Sequence, residues 1–383
     1  MNQKGEKFVF NLRELSGALG DLGTLLPLML GTIAVVGMAP MPVVLGFAVF
    51  YIATAAYYRL PIPVQPMKAV AAVLLTAQLG PAALAASGVI IGAVLLILGL
   101  TGWITRLARI VPQSVLAGLQ VGLGLALGLV ALDLMASAPL LAAVTVGILL
   151  ALLFYSRGPS ALIALTVAVA LAQALGIPGM GMETTSSAVY FSLPAWPSWE
   201  ELQNAVSLYV LPQLSLTFTN AVLITALLAG DYFGERATHV TPKRLSITSG
   251  IANLLLTPFG ALPMCHGAGG LAAHYRFGAR SGTAPLALGL LLLAIALLPG
   301  NTGLALLAAI PAAALGALLL MAAGELALSK RLFDCKPSCW PVIAVTAGAT
   351  LWADPFRGLL AGSCAELARL AAVRIFLRRD ARS

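Results

Sequence analysis

Charge is the scarcest thing in this chain. Of 383 residues only 14 are acidic and 22 basic, 9 % in all. A soluble domain carries roughly 25 %, so a water-solvated globule is excluded and lipid is the solvent for most of the sequence. Histidine (3) and cysteine (4) are nearly as sparse. That excludes a disulfide scaffold and leaves little for a metal cluster. Cys335 and Cys339 form a C-x-x-x-C pair with no further Cys or His nearby, which reads as small loop residues rather than a zinc site. No G-x-x-x-x-G-K-[ST] loop occurs, so nothing here points to ATP hydrolysis. We expect no enzyme, no cofactor and no metal.

What is present is apolar: 60 % of residues are hydrophobic and the mean hydropathy is +0.97. The charged N-terminus runs straight into a long apolar stretch. No short apolar core and small-residue cleavage site appear, so the first span, not a signal peptide, is the expected insertion signal. Fourteen segments are read, near 14–37, 41–58, 66–79, 82–102, 111–134, 138–155 and 159–176, then 207–229, 243–258, 266–277, 284–299, 305–328, 340–353 and 357–377. The third and tenth are too short to cross about 30 Å of hydrocarbon as helices. Each follows a proline-containing stretch that cannot continue a helix.

The chain repeats itself at an offset of 199 or 200. Glu14-Leu15-Ser16 returns as Gln213-Leu214-Ser215, and Pro63-Val64-Gln65-Pro66 as Pro263-Met264-Cys265-His266. Val111-Pro112 returns as Ile310-Pro311, and Arg157-Gly158 as Arg357-Gly358. Seven segments per half is an odd number, so the second half enters the bilayer inverted. The basic residues agree with that arrangement. With the N-terminus inside, Arg59, Arg106, Arg109, Arg157, Arg236, Lys243, Arg244, Arg276, Arg280, Lys330, Arg331, Lys336 and the tail from Arg369 to Arg382 all reach cytoplasmic ends. Only Lys68 and Arg357 fall elsewhere. The outer loop, 177–206, holds Glu183, Glu200 and Glu201 but no Lys or Arg. The expectation is an all-α polytopic protein of a cell (inner) membrane, both termini cytoplasmic, as a 7+7 inverted repeat: residues 1–176, a linker 177–206, and residues 207–383. Its net charge of +8 meets anionic inner-leaflet lipid, and no nucleic acid needs invoking.

Paired repeats with broken segments at matching places mark the substrate site of a secondary transporter. In Pro61-Ile62-Pro63-Val64-Gln65-Pro66-Met67-Lys68 three prolines force an extended entry, and Pro66 suits the first helical turn. Its counterpart is Pro263-Met264-Cys265-His266-Gly267-Ala268-Gly269-Gly270. Inversion aims the two helix starts at each other. Each start carries about half a positive charge and unpaired N–H groups, so together they form an anion trap. The glycines would let a ligand approach the backbone. The competing reading is a pair of kinks packed inside the bundle.

The candidate binding residues are Asp21, Gln65, Pro66, Met67, Lys68, Thr217, Thr219, Asn220, His266, Gly267 and Ala268. Lys68, mid-membrane at a cost of about 3 kcal/mol, calls for a negative partner: a bound anion or Asp21. Asp21 lies inside the first span, and its repeat mate is Asn220 in the eighth. Thr217, Thr219 and Asn220 offer neutral hydrogen bonds, although the threonines can instead bond back to their own helix. His266 is read as the one mid-membrane histidine, either a titrating donor or a structural imidazole. Asp21 and His266 are the candidates to carry a coupling proton. Glu325 and Glu366 are read as gating or packing residues, and Gly230–Arg236 as a cytoplasmic loop ending the eighth span.

At these residues the sequence resembles the molybdate transporter family, which is related to the sulfate permeases. The matching stretches are Glu14–Thr24, Pro63–Ala69, Gly230–Phe233 and Pro263–Gly267. The resemblance spans nearly the whole chain, and like that family the chain shows no regulatory domain after the last span. It implies the sulfate and nucleobase permease fold, with segments 1–4 and 8–11 as a core and 5–7 and 12–14 as a gate that is usually the dimer surface. It also implies molybdate as substrate, with tungstate or sulfate as analogues. The residues themselves reach only a small anion at two helix starts. A nucleobase permease of the same fold would want carboxylates and aromatics facing a planar ring. A channel or an enzyme would want a continuous polar pore or a nucleophile–base pair, and Cys265 beside His266 makes a poor one.

Overall fold

The computed structural model describes residues 8–77, 80–107, 112–155, 160–179, 197–298 and 302–380. The readings that rest on Arg109, Arg157, Glu183 and Arg382 lie outside them. The described residues are mostly helical. The first segment is two helices, α1 (Leu12–Gly20) and α2 (Leu22–Val36), bent by 44° at Asp21. Asn11 caps α1 by accepting from the Glu14 amide at 2.9 Å. The bend corrects the reading of one continuous span. It falls at the Gly20-Asp21 step, where the carboxylate is drawn sideways to partners on other elements.

Next comes α3 (Pro40–Tyr58), opened by proline and closed by Arg59 in the left-handed region (φ 53°). The chain then runs extended into β1 (Gln65–Pro66) and the short α4 (Lys68–Ala77). After α5 (Pro81–Thr101) and the single turn α6 (Ile104–Leu107) come α7 (Gln113–Ala136), α8 (Pro139–Tyr155) and α9 (Ser160–Ala174).

The second half opens with one long helical rod. It contains α10 (Trp199–Asn204), a π stretch (Ala205–Val210), α11 (Leu211–Leu216), a second π stretch (Thr217–Ile224) and α12 (Thr225–Phe233). Helix therefore begins inside what the sequence reads as linker, where Ser198 and Glu201 form a capping box. Gly230–Phe233, read as loop, is the last turn of α12. The break comes at Gly234, whose φ of 55° with ψ of −128° suits glycine.

The remaining elements are α13 (Pro242–Leu256), β2 (Met264–Cys265), α14 (Ala268–Arg276), α15 (Thr283–Leu297), α16 (Thr302–Ala308), α17 (Ala312–Ala327), α18 (Lys330–Phe333), α19 (Trp340–Trp352) and α20 (Pro355–Asp380). The twelfth segment is thus interrupted. Pro311 cannot continue a helix from residue 308, so α17 starts after it.

Among the described residues five helices are long and apolar enough to cross a membrane, or six when α1 and α2 count as one broken span. Their outward faces are apolar: Val49, Ile97, Leu129, Leu132 and Leu227 are all exposed. A helix apolar all round belongs in lipid, so this is a multi-pass membrane protein. Packing follows the repeat. Helix α3 packs on α15 and α13 on α5, while α7 packs on its own repeat mate α17. Where α7 meets α19, a methyl at Gly118 would lie 2.5 Å from Thr346 Cβ, so only glycine permits the approach.

Candidate functional site

The two repeat-related extended stretches meet. β1 and β2 pair antiparallel, Gln65 opposite Cys265 and Pro66 opposite Met264. The Met67 amide donates to the Pro263 carbonyl at 2.9 Å. Asn253, from α13, clamps β2 by donating to the Met264 carbonyl (2.7 Å) and accepting from its amide (2.8 Å). Extended backbone inside a membrane protein must have every polar group partnered or face a cavity, and Asn253 does this for β2. From this junction α4, with 10 residues, and α14, with 9, lead away. At 1.5 Å per residue each spans roughly half the hydrocarbon. Pro66 sits in the strand pairing and not in the first turn of α4, which corrects the sequence reading: the helix starts at Lys68.

A narrow cavity lies at the junction. Gln65, Pro66 and Lys68 form one wall, with Cys265 and Gly267 beside them. The rod between α11 and α12 contributes Gln213, Leu216, Thr217, Asn220 and Ala221, and α7 and α17 close it with Gln120 and Leu326. Thr217, Asn220 and Ala221 belong to the second π stretch. There the wider helical turn shifts side chains out of α-helical register, a feature frequent at functional sites. The cavity's free volume is ≈ 20 Å³, room for about one water molecule.

The two helix starts differ in what they leave open. At α4 the Gln213 carboxamide oxygen accepts from the Ala69 amide (2.9 Å) and the Val70 amide (3.3 Å), while its nitrogen donates to Thr217 Oγ1 (2.7 Å). With Met67 bonded to Pro263, Lys68 is the α4 first-turn amide without a protein acceptor among the described residues. At α14 the Gly270 and Leu271 amides turn back to the Gly267 carbonyl (3.1 and 3.3 Å). The Ala268 and Gly269 amides have no protein acceptor among the described residues. The trap is therefore smaller than two symmetric sets of amides.

Lys68 is half-buried, and its ammonium reaches across to α14, 3.9 Å from where a Cβ of Gly269 would stand. No carboxylate among the described residues pairs with it. The expected Asp21–Lys68 pair is not formed.

Asp21 is fully buried and engaged elsewhere. It accepts from Tyr51 Oη at 2.6 Å and from Gln65 Nε2 at 2.5 Å. Glycine at 270 makes that possible: a methyl there would lie 2.6 Å from both Asp21 Oδ1 and Gln65 Nε2. A methyl at Gly267 would likewise strike the Gln65 carboxamide. Side-chain atoms of Asp21 and Gln65 stand in the space that a side chain at these two glycines would need, while Gly267 also lines the cavity.

His266 does not line the cavity. Its Nδ1 bonds to the Pro63 carbonyl (2.8 Å) and its Nε2 to Thr248 Oγ1 (2.8 Å), and it lies between the rings of Phe50 and Tyr58. Both ring nitrogens are thus bonded to protein groups, the arrangement that the structural-imidazole reading expects. Nor is it the single buried histidine: His274, on α14, is equally buried and stands 3.8 Å from Asp21. Met67 and Ala268 are buried beside the junction and contribute backbone. Thr219 shares the π stretch, and its side chain lies outside those described. Thr225 donates to the His266 carbonyl (2.8 Å) or the Asn220 carbonyl (3.0 Å), tying the rod to the junction.

Sequence reasoning missed Gln120, Gln213 and His274. Gln213 carried a signal, because it occupies the repeat position of Glu14 and is a polar residue in an apolar run. Gln120 is likewise a polar residue inside a long apolar helix.

A profile of the family described as "Molybdate transporter of MFS superfamily" matches residues 13–127 and 205–326. Molybdate transporter 2 of Arabidopsis thaliana is 32 % identical over 386 residues, covering 87 % of this chain and 82 % of that protein. Molybdate transporter 1 of the same plant is 30 % identical over 410 residues, covering 93 % and 87 %. The fold is like that of the transmembrane domain of a cyanobacterial bicarbonate transporter, BicA, with a TM-score of 0.67 at 18 % identity, covering 90 % of this chain and 96 % of that one. It is also like the murine Slc26a9 anion transporter in its inward-facing state, with a TM-score of 0.68 at 15 % identity, covering 98 % and 70 %. With a family profile matching on both halves and relatives aligned over most of its length, the chain belongs to the molybdate transporter family.

Proposed function

We propose that this protein is a secondary transporter of a small tetrahedral oxyanion, molybdate first, with tungstate and sulfate as analogues. The observation that carries the reading is the ammonium of Lys68 beside two helix starts: among the described residues the ammonium has no carboxylate partner, and the Lys68, Ala268 and Gly269 amides have no protein acceptor. A half-buried cation at the positive end of a helix dipole is disfavoured alone and gains stability when an anion joins it. The amides supply N–H donors that replace the anion's water, and Asn220 and Thr217 add neutral polar groups at the same wall.

The relatives' names put molybdate ahead of other oxyanions. No aromatic side chain lines the cavity among the described residues, which disfavours a planar nucleobase. The chain is read as fourteen crossing segments in two inverted sevens. Segments 1–4 and 8–11 carry the substrate, and 5–7 and 12–14 form the gate and the contact surface of a homodimer. It would sit in the cell membrane with both termini inside.

A space of one water cannot hold a tetrahedral oxyanion, so binding must widen it. The yielding wall is Gln120 and Leu326, because they come from α7 and α17, outside the β1–β2 junction. Sliding the junction past those two helices would open the site to one side and then the other.

The test is a calorimetric titration of the purified full chain with molybdate, tungstate, sulfate and uracil. Saturable binding of the tetrahedral anions with none of uracil supports the reading. Binding of uracil and of none of the anions defeats it.

A further inference from the structure

Resting on that reading, we propose that Asp21 and His274 form a buried proton site, that the added proton resides on His274 Nε2, and that the site is coupled to the anion cavity through Gln65. The geometry defines which nitrogen is available. His274 Nδ1 is 2.7 Å from the Gly17 carbonyl oxygen, an acceptor only, so Nδ1 carries a hydrogen in either charge state. That leaves Nε2, which is fully buried and has no hydrogen-bond partner among the described residues. It stands 3.8 Å from Asp21 Oδ2, too far for a hydrogen bond and close enough for an ion pair. Unprotonated, its lone pair faces a carboxylate with no donor between them. Protonated, the same contact becomes attractive. The step is a proton transfer alone: one proton from water joins the Nε2 lone pair, and an imidazolium forms beside the carboxylate.

The coupling path is short. Asp21 Oδ1 accepts from Gln65, and Gln65 is a wall of the anion cavity. With His274 neutral, the Asp21 charge is balanced only by hydrogen bonds and opposes an incoming dianion. With His274 protonated, the pair is neutral overall and that opposition falls. Anion binding and proton uptake therefore favour each other, and by linkage each changes the other's affinity by the same factor.

The other titratable groups on the surrounding elements are engaged or remote. From α3, Tyr51 already donates to Asp21. On α1, Glu14 accepts from the Arg280 amide and Arg13 is exposed. On α12, Tyr232 stacks on Tyr275 of α14 and Asp231 is exposed. Glu325 of α17 accepts from Thr24 (3.3 Å), and Lys68 lies over Gly269 on the cavity side. Among the described residues His274 is the single partner Asp21 has at ion-pair distance.

The experiment measures protons taken up per molybdate bound, by calorimetry of the full chain in buffers of different ionisation enthalpy. It is paired with the affinity across about pH 5 to 8. Expected for the parent chain is uptake approaching one proton, with affinity falling up to about tenfold per pH unit on the alkaline side. In His274→Asn the amide keeps a donor for Gly17 and cannot titrate. Uptake should fall to near zero, and the affinity should stay at the parent's alkaline limit throughout. Asp21→Asn, which keeps the histidine and removes the charge, gives the second arm and should also abolish the uptake. Proton uptake unchanged in either variant that binds molybdate overturns the proton site while leaving the transporter reading standing. A parent chain that binds none of the oxyanions overturns the reading and the inference with it.

Discussion

The two short helices α4 and α14 begin at the same junction, occupy matching places in the sequence repeat and differ in what they present there. The start of α4 is mostly closed by protein: Gln213 occupies two amides and the Pro263 carbonyl a third, leaving the Lys68 amide without a protein acceptor among the described residues. The start of α14 is more open: among the described residues two of its amides have no protein acceptor, and Gln65 and Asp21 approach Gly267 and Gly270 from the side. What α4 brings to the cavity is mainly the Lys68 side chain, and what α14 brings is mainly backbone. In the proposed site the sequence repeat supplies two adjoining helix starts, and divergence between the halves decides which would offer charge and which would offer N–H groups.

The sharpest way to break this comparison is to fill the α14 side. Gly270→Ala places a methyl 2.6 Å from Asp21 Oδ1 and Gln65 Nε2 and 2.7 Å from Pro63 Cβ. We expect about 1–3 kcal/mol of lost stability and no measurable molybdate uptake in proteoliposomes. Gly269→Ala, which meets nothing nearer than the Lys68 ammonium at 3.9 Å, should fold normally. Equal behaviour of the two variants would show that the glycine packing is irrelevant.

On the α4 side, Lys68→Ala removes a charge-assisted contact worth about 1.5–3 kcal/mol. Molybdate affinity should drop about 10- to 100-fold in a binding titration, and an unchanged affinity would take the lysine out of the site.

Asn253→Ala leaves both Met264 backbone groups without partners. A loss of about 1–3 kcal/mol is expected, read as a lowered midpoint of thermal unfolding in detergent.

The smallest effect belongs to Gln213→Ala. Losing a helix-start cap costs about 1 kcal/mol. If the α4 amides are passive, affinity should change far less than in Lys68→Ala. A larger loss than for the lysine would reverse the division of labour between the tips.

The repeat offset made the junction legible. Matching prolines at 63 and 263 located two extended stretches, and the pairing of Gln65 with Cys265 follows the same offset. Element types and the short lengths of α4 and α14 were readable for the same reason. What stayed hidden were partners set by rotation within the bundle. His274 sits in Ala272-Ala273-His274-Tyr275-Arg276, which reads as a helix end approaching water. It is buried by tertiary packing, with α1 and α12 against α14 and the Gly17 carbonyl bonded to its Nδ1. Asp21 looked like the natural mate of Lys68 because both are charged and mid-membrane. Sequence could not show that Tyr51 and Gln65 reach it first. The bend at Asp21 and the helical Gly230–Phe233 were missed because glycine near aspartate signals loop and tight packing equally well.

The most direct measurement is the anomalous scattering of tungsten in crystals of the full chain grown with tungstate. The account expects one strong peak bounded by the Lys68 ammonium, the Ala268 and Gly269 amides and the Asn220 side chain, with Gln120 and Leu326 displaced outward. A peak elsewhere in the molecule, with the β1–β2 junction empty and unchanged, would contradict it.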